Sequence, residues 1–159
     1  MHLYLLRHAD AIDHAETDVA RYLTPKGVSQ AKAVGRFCRQ NGIVPDIILT
    51  SPYRRAEQTA GIVARKIGSS EVLVAPFLGS GMQPLAALEE LKAYKRLAGV
   101  MLVGHEPDFS HLAATLLGLT KARRLHLRKA SLTHLELGNI VADSATLHFI
   151  LPVKFLGCK

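Results

Sequence analysis

The sequence predicts a three-layer α/β/α sandwich around a mainly parallel central sheet. Two observations carry this. Short apolar runs alternate with amphipathic segments of helical period along most of the chain, the βαβα order that gives parallel sheets. Helix-start and helix-stop residues also punctuate those segments at the expected places. With 159 residues and neither a linker, a composition break nor an internal repeat, the chain reads as one domain, residues 1–159.

The elements follow in order. "HLYLLR" (residues 2–7) reads as the first strand. "TPKGVSQAKAVGRFCRQNG" (24–42) reads as a helix with Thr24 as N-cap, Pro25 at the first helical position and Asn41-Gly42 as the stop. "DIILT" (46–50) is a second strand. "SPYRRAEQTAGIVARKIG" (51–68) is a second helix, with Ser51 expected to cap it and Pro52 to open it. "EVLVA" (71–75) is a third strand and "MQPLAALEELKAYKRLAG" (82–99) a third helix ending at Gly99. "VMLVG" (100–104) is a fourth strand and "PDFSHLAATLLG" (107–118) a fourth helix, opened by Pro107. "LTHLEL" (132–137) and "ATLHFILP" (145–152) read as two edge or return strands joined around Gly138-Asn139.

Composition narrows the function classes. Hydrophobic residues at 48% and charged residues at 21% describe a globular protein without a disordered tract. The unbroken apolar run at the N-terminus is only Leu3 to Leu6, too short for a signal-peptide core or a membrane span, so the expected compartment is the cytoplasm and no membrane partner is expected. Cys38 and Cys158 suggest neither a disulfide scaffold nor a zinc site. The net charge of +7 calls for an anionic partner. Its densest part, "KARRLHLRK" (Lys121 to Lys129), has no aromatic residue for base stacking and matches no nucleic-acid motif. Nucleic acid is therefore not the expected partner; a solvated face comes first and docking to an acidic protein second.

In parallel α/β folds ligands bind beyond the carboxyl ends of the strands. Three features fall there: Arg7-His8 after the first strand, "TSPYRR" after the second, and Gly104-His105 after the fourth. Arg54 and Arg55 open a helix, where the macrodipole disfavours cations, and that local violation points to an anion held jointly by guanidinium and helix N-terminus. The buried stripe of that helix runs through Ala56, Ala60, Val63 and Ile67. Arg55 lies about a quarter-turn from it and Arg54 nearly opposite, so Arg55 is the ligand candidate and Arg54 the surface residue.

Of eight histidines, His8 and His105 stand apart, each following an apolar strand. Neighbouring arginines lower an imidazole pKa, and a neutral imidazole facing an arginine-bound phosphate can attack phosphorus. No HExxH or Cys/His cluster calls for a metal, and P-loop, dinucleotide-binding and G-x-S-x-G signatures are absent, so no metal or cofactor is expected.

These residues resemble the histidine phosphatase (phosphoglycerate mutase-like) superfamily. "LYLLRHADA" is similar to its RHG signature, with Ala9 where glycine is usual; "LTPKG" to its "LTxxG" helix start; "TSPYRRAEQTA" to its "SSPxxRAxQTA" segment; "VMLVGHEP" to its second-histidine strand. Four motifs in order, through Phe109, make the resemblance strong, and the short chain looks most like the SixA-type phosphohistidine phosphatases. The resemblance implies a phosphoglycerate mutase-like sandwich and a metal-independent phosphatase with a covalent phosphohistidine intermediate. His8 would be the nucleophile, and Arg7, Arg55 and His105 the cationic pocket. Arg21 would be a further phosphate or substrate contact.

The family's usual glutamate acid donor is missing from "PFLGSGMQPLAALEEL", where Glu89 and Glu90 come late on an expected solvated face. An alkoxide leaving group needs a general acid; an imidazole leaving from phosphohistidine does not. The expected substrate is therefore phosphohistidine on a signalling protein, such as a histidine-phosphotransfer domain. A small phosphomonoester, either a sugar phosphate or a nucleotide, is the alternative, with Asp10, Glu106 or Asp108 as acid. A non-catalytic phosphate-binding module is the third reading.

Overall fold

A computed structural model describes residues 1–68 and 71–157. One mixed sheet of six strands runs in the order β3-β2-β4-β1-β5-β6. The strands are β1 (His2–Arg7), β2 (Ile47–Thr50), β3 (Glu71–Val74), β4 (Gly99–Gly104), β5 (Leu132–Leu137) and β6 (Ala145–Leu151). The first four are parallel; β5 runs antiparallel to both β1 and β6.

Helices α1 (Pro25–Gln40) and α2 (Arg54–Ile67) cover one face, α3 (Pro84–Leu91) and α4 (Asp108–Leu116) the other. The period-2 rule explains how β1 serves both layers. Tyr4 and Leu6 pack under α1 and α2 with Met101, Val103, Val34 and Val63, while Leu3 and Leu5 pack with Leu102, Leu88, Phe109 and Leu112. All six residues of β4 are buried, as expected of a central parallel strand covered on both sides. Each fully buried leucine contributes about 1.5–3 kcal/mol.

Thr24 caps α1 as expected, its Oγ1 accepting from Gly27 N at 3.0 Å. Four boundaries differ from the sequence reading. α2 starts at Arg54 and its N-cap is Tyr53; Ser51 does not cap it, because its hydroxyl is engaged elsewhere. α3 ends at Leu91 and passes into a 3-10 turn, Lys92–Tyr94, so Gly99 opens β4 instead of closing the helix. Pro107 occupies the cap position of α4, one residue before the helix. The β5–β6 connection spans residues 138–144, longer than a two-residue turn. Arg54 and Arg55 remain in the first turn of α2, so the charge violation stands.

Cys38 is buried in the core, where burial pushes its thiol up to about 12; Cys158 lies outside the described residues. No described helix is long and apolar enough to cross a membrane. The topology creates a switch point. The chain leaves β1 toward α1 on one face and leaves β4, its neighbour, toward α4 on the other. The crevice between two such strand ends is where α/β sheets bind ligands.

Candidate active site

His8 leaves the end of β1 on a backbone held from three sides. Its N–H donates to Gly104 O at 2.9 Å, its carbonyl accepts from Ala130 N at 3.1 Å, and Ala9 N donates to Thr59 Oγ1 at 3.1 Å. Thr59 in turn donates to Arg55 O at 2.7 Å, tying α2 to the loop behind His8. Ala9 is fully buried and lies outside the left-handed region of backbone space, so alanine fits where the family signature has glycine.

The loop after His8 is secured by the "LTPKG" segment. Thr24 N donates to Asp10 O at 3.0 Å and Thr24 Oγ1 to Asp10 Oδ2 at 2.8 Å, and Gly27 packs so closely that a Cβ there would collide with the Asp10 carbonyl. Gly104 has a similar reason at the end of β4: a Cβ would come within 2.8 Å of the Phe109 ring.

Four predicted residues converge. His8 is 6%, Arg55 5% and His105 2% exposed, low for ionisable groups and so dependent on their partners. His8 Nδ1 lies 2.7 Å from Ala9 O, a carbonyl that only accepts, so Nδ1 carries the proton and Nε2 the lone pair. Arg55 Nε–H donates to that Nε2 at 3.2 Å. The His8 and His105 rings lie 5.3 Å apart, and Arg55 Nη2 is 3.4 Å from His105 Nδ1. Burial first, then the charges of Arg55 and Arg7, brings His8 down to about 3 and His105 to about 4. Arg7 donates Nη1 to Leu127 O at 2.9 Å, while its buried Nε has no partner among the described residues, a condition an anion would relieve.

Arg21 stands one carboxylate away from this cluster. It bonds Ile12 O at 2.6 Å and Asp18 Oδ1 at 2.9 Å, and Asp18 makes a 3.0 Å contact through Oδ2 with Arg55 Nη2. Burial works to raise the Asp18 pKa, but the hydrogen bonds and charges of Arg21 and Arg55 outweigh it and the net shift is downward.

The sequence reading missed Asp18, which sits in a polar loop with no periodic signal. Two others were also missed. Ser51 Oγ lies 2.7 Å from His105 Nε2 and orients that ring. The Tyr53 ring lies 4.7 Å from that of His105 at a tilt of 57°, with the Arg55 guanidinium 4.9 Å from the Tyr53 ring. Their positions in "TSPYRR" were the available signal.

The three carboxylates considered as acid donors are placed differently. Asp10 is held by Lys129 at 2.8 Å as well as by Thr24; burial raises its pKa, but these bonds prevail and lower it. Asp108 is buried and accepts from Gly81 N at 2.8 Å. Glu106 is raised by burial, against the opposing pull of Ser110 and Arg7, and its Oε2 accepts from Ser110 Oγ at 2.7 Å. Glu89 and Glu90 are exposed, Glu89 pairing with Lys92 at 2.6 Å. Among the described residues, no group of three or more His, Cys, Asp or Glu side chains is arranged to hold a metal ion.

A neutral imidazole with its lone pair beside buried guanidinium groups can attack a bound phosphoryl group. Comparison with known proteins points the same way. The profile of the Histidine phosphatase superfamily (branch 1) matches residues 3–78. An uncharacterized protein of Picosynechococcus sp. is 35% identical over 147 residues, covering 87% of this chain and 86% of that protein. A structure from Agrobacterium tumefaciens, assigned as a phosphohistidine phosphatase SixA, is 25% identical with a TM-score of 0.82, covering 95% of this chain and 97% of that one. The protein histidine phosphatase SixA complexed with tungstate shares the fold at a TM-score of 0.88 and 22% identity, over 98% and 99% of the two chains.

Proposed function

The chain belongs to the histidine phosphatase superfamily, branch 1, and from that premise we propose that it is a metal-independent phosphohistidine phosphatase acting on a phosphorylated signalling protein of the cytoplasm. His8 Nε2 attacks phosphorus in line, forming one P–N bond as the bond to the substrate imidazole breaks. That imidazole leaves already protonated. Water then attacks the phosphorylated His8 and releases orthophosphate, restoring the neutral ring. Arg7, Arg55 and His105 offset the charge on the equatorial oxygens, and Arg21 acts behind them through Asp18.

The observation that carries this reading is the state of His8: Nδ1–H fixed on Ala9 O, Nε2 facing Arg55, and a pKa near 3 that keeps the ring neutral at pH 7. The substrate class rests on the carboxylates. Asp10 and Asp108 are committed to structural bonds, Asp18 is held ionised and Glu106 accepts from Ser110 Oγ, which suits a leaving group that needs no acid.

Single-turnover dephosphorylation of a phosphohistidine-carrying protein, run beside a panel of sugar phosphates and nucleotides, tests it. We expect phosphohistidine turnover with chelator present and none with His8→Ala. Preference for the esters would move the substrate class and make Glu106, whose pKa burial raises, the acid to mutate. Tungstate binding without turnover of either class would leave a phosphate-binding module.

A further inference from the structure

Arg7 stands between the His8 cluster and a cleft on the carboxyl edge of the sheet. Toward β4 it adds its charge to His8, Arg55 and His105. Toward β5 it lines a cleft of about 490 Å³, to which none of those three residues contributes. The strand register places this cleft on the same edge. Leu6 of β1 pairs with Leu132 of β5, and Leu132 with Leu151 of β6, so the segments just before β5 and just after β6 meet the loop after His8 and the first turn of α1.

The walls are cationic. Lys26 comes from α1, Arg128 and Lys129 from the segment before β5, and Lys154 from beyond β6; Asp10 is the one carboxylate beside them among the described residues. Lys129 takes up that carboxylate at 2.8 Å. Lys26, Arg128 and Lys154 make no ion pair with any described residue. Like charges gathered around one concavity repel one another and attract an anion from solution. These three are exposed and stand on three different elements. That spacing suits several carboxylates carried on a surface better than one small anion held in a buried nest.

We propose that this cleft docks the acidic side chains flanking the phosphorylated histidine of a protein substrate, an inference that rests on the phosphohistidine reading above. It divides the basic stretch of the sequence: Arg128 and Lys129 face the cleft, whereas Arg123 and Arg124, in the 3-10 turn Ala122–Arg124, do not line it.

The test compares two substrates, free phosphoramidate and an acidic histidine-phosphotransfer domain phosphorylated with it. Lys26→Glu, Arg128→Glu and Lys154→Glu combined should raise KM for the domain about tenfold more than for phosphoramidate, and should remove the salt dependence of kcat/KM on the domain. Arg123→Glu with Arg124→Glu should leave that ratio unchanged. Equal effects on the two substrates, or an equal effect of the two sets of reversals, would overturn the proposal. A second arm needs no turnover: anisotropy of a fluorescent oligoglutamate peptide on the His8→Ala protein. Salt-sensitive binding lost in the triple variant would support the cleft even if phosphohistidine proved not to be the substrate. Absent binding, or tighter binding of single-stranded DNA of equal length, would overturn it.

Discussion

A histidine that attacks phosphorus at neutral pH must hold its lone pair there. For His8 this is arranged mainly by burial, with Arg55, His105 and Arg7 adding repulsion, so that protonation is deferred to about pH 3. The acid limb of kcat/KM should therefore fall well below the ordinary imidazole value, with near-constant rates from pH 7 down past 6; a midpoint at 6.5 assigned to His8 by NMR titration would contradict this. Asp18 makes a different prediction. It holds Arg55 and Arg21 together, and its carboxylate competes with an incoming phosphoryl group for the same guanidinium. Asp18→Asn should tighten orthophosphate binding several-fold by calorimetry, whereas weaker binding would mean that Asp18 mainly positions Arg55. Of these residues, Arg55 was legible from helix phase together with its misplaced charge. Asp18 was not, because a carboxylate in an irregular loop shows its partner only once the chain is folded.

The elements supply the precision these side chains need. Thr59, one turn after Arg55 on α2, accepts from Ala9 N and so sets the carbonyl that fixes the His8 tautomer. Thr59→Val keeps the shape and leaves the Ala9 N–H buried without a partner, a cost of about 1–3 kcal/mol. We expect a fall in both the urea midpoint and kcat, with KM nearly unchanged; an unchanged kcat would show that the loop holds itself. Thr24→Ala should cost about 1 kcal/mol as a lost cap and more if the Asp10 loop loosens with it, which a thermal melt would reveal. The capping and proline signals located α1 well because local chemistry decides a helix start. They misplaced the start of α2, because Ser51 bonds His105, a partner 54 positions away that no local pattern contains. The end of α3 was misread for a related reason: Gly99 looks like a helix stop, yet pairing with His2 of β1 draws it into the sheet.

At the scale of the molecule, the order β3-β2-β4-β1 brings three strand ends separated by nearly a hundred residues to one edge. The alternation of elements made that edge foreseeable, and with it the meeting of Arg7, His8, Arg55 and His105. What alternation could not show is the placement of β5 and β6, whose flanking segments build the basic cleft, because their pairing depends on tertiary contacts with β1. Burying two histidines also has a cost for the whole fold. His8 and His105 take up protons near 6.5 when unfolded but only at about 3 and 4 when folded. Between those values the unfolded chain binds more protons, so stability is fully present above pH 6.5 and is lost as pH falls below it. Urea midpoints should decline from pH 7 to 4.5, and less steeply in His105→Asn; a flat profile in the parent protein would show the histidines to be more accessible than the structure has them. The central claim, a covalent phosphoryl transfer through His8, is tested most directly by rapid quench with phosphorus-labelled phosphohistidine protein, followed by mapping of the labelled residue. The account predicts an acid-labile, alkali-stable phosphoryl group on His8 that forms and decays within one turnover, and orthophosphate released without a labelled His8 at any time would contradict it.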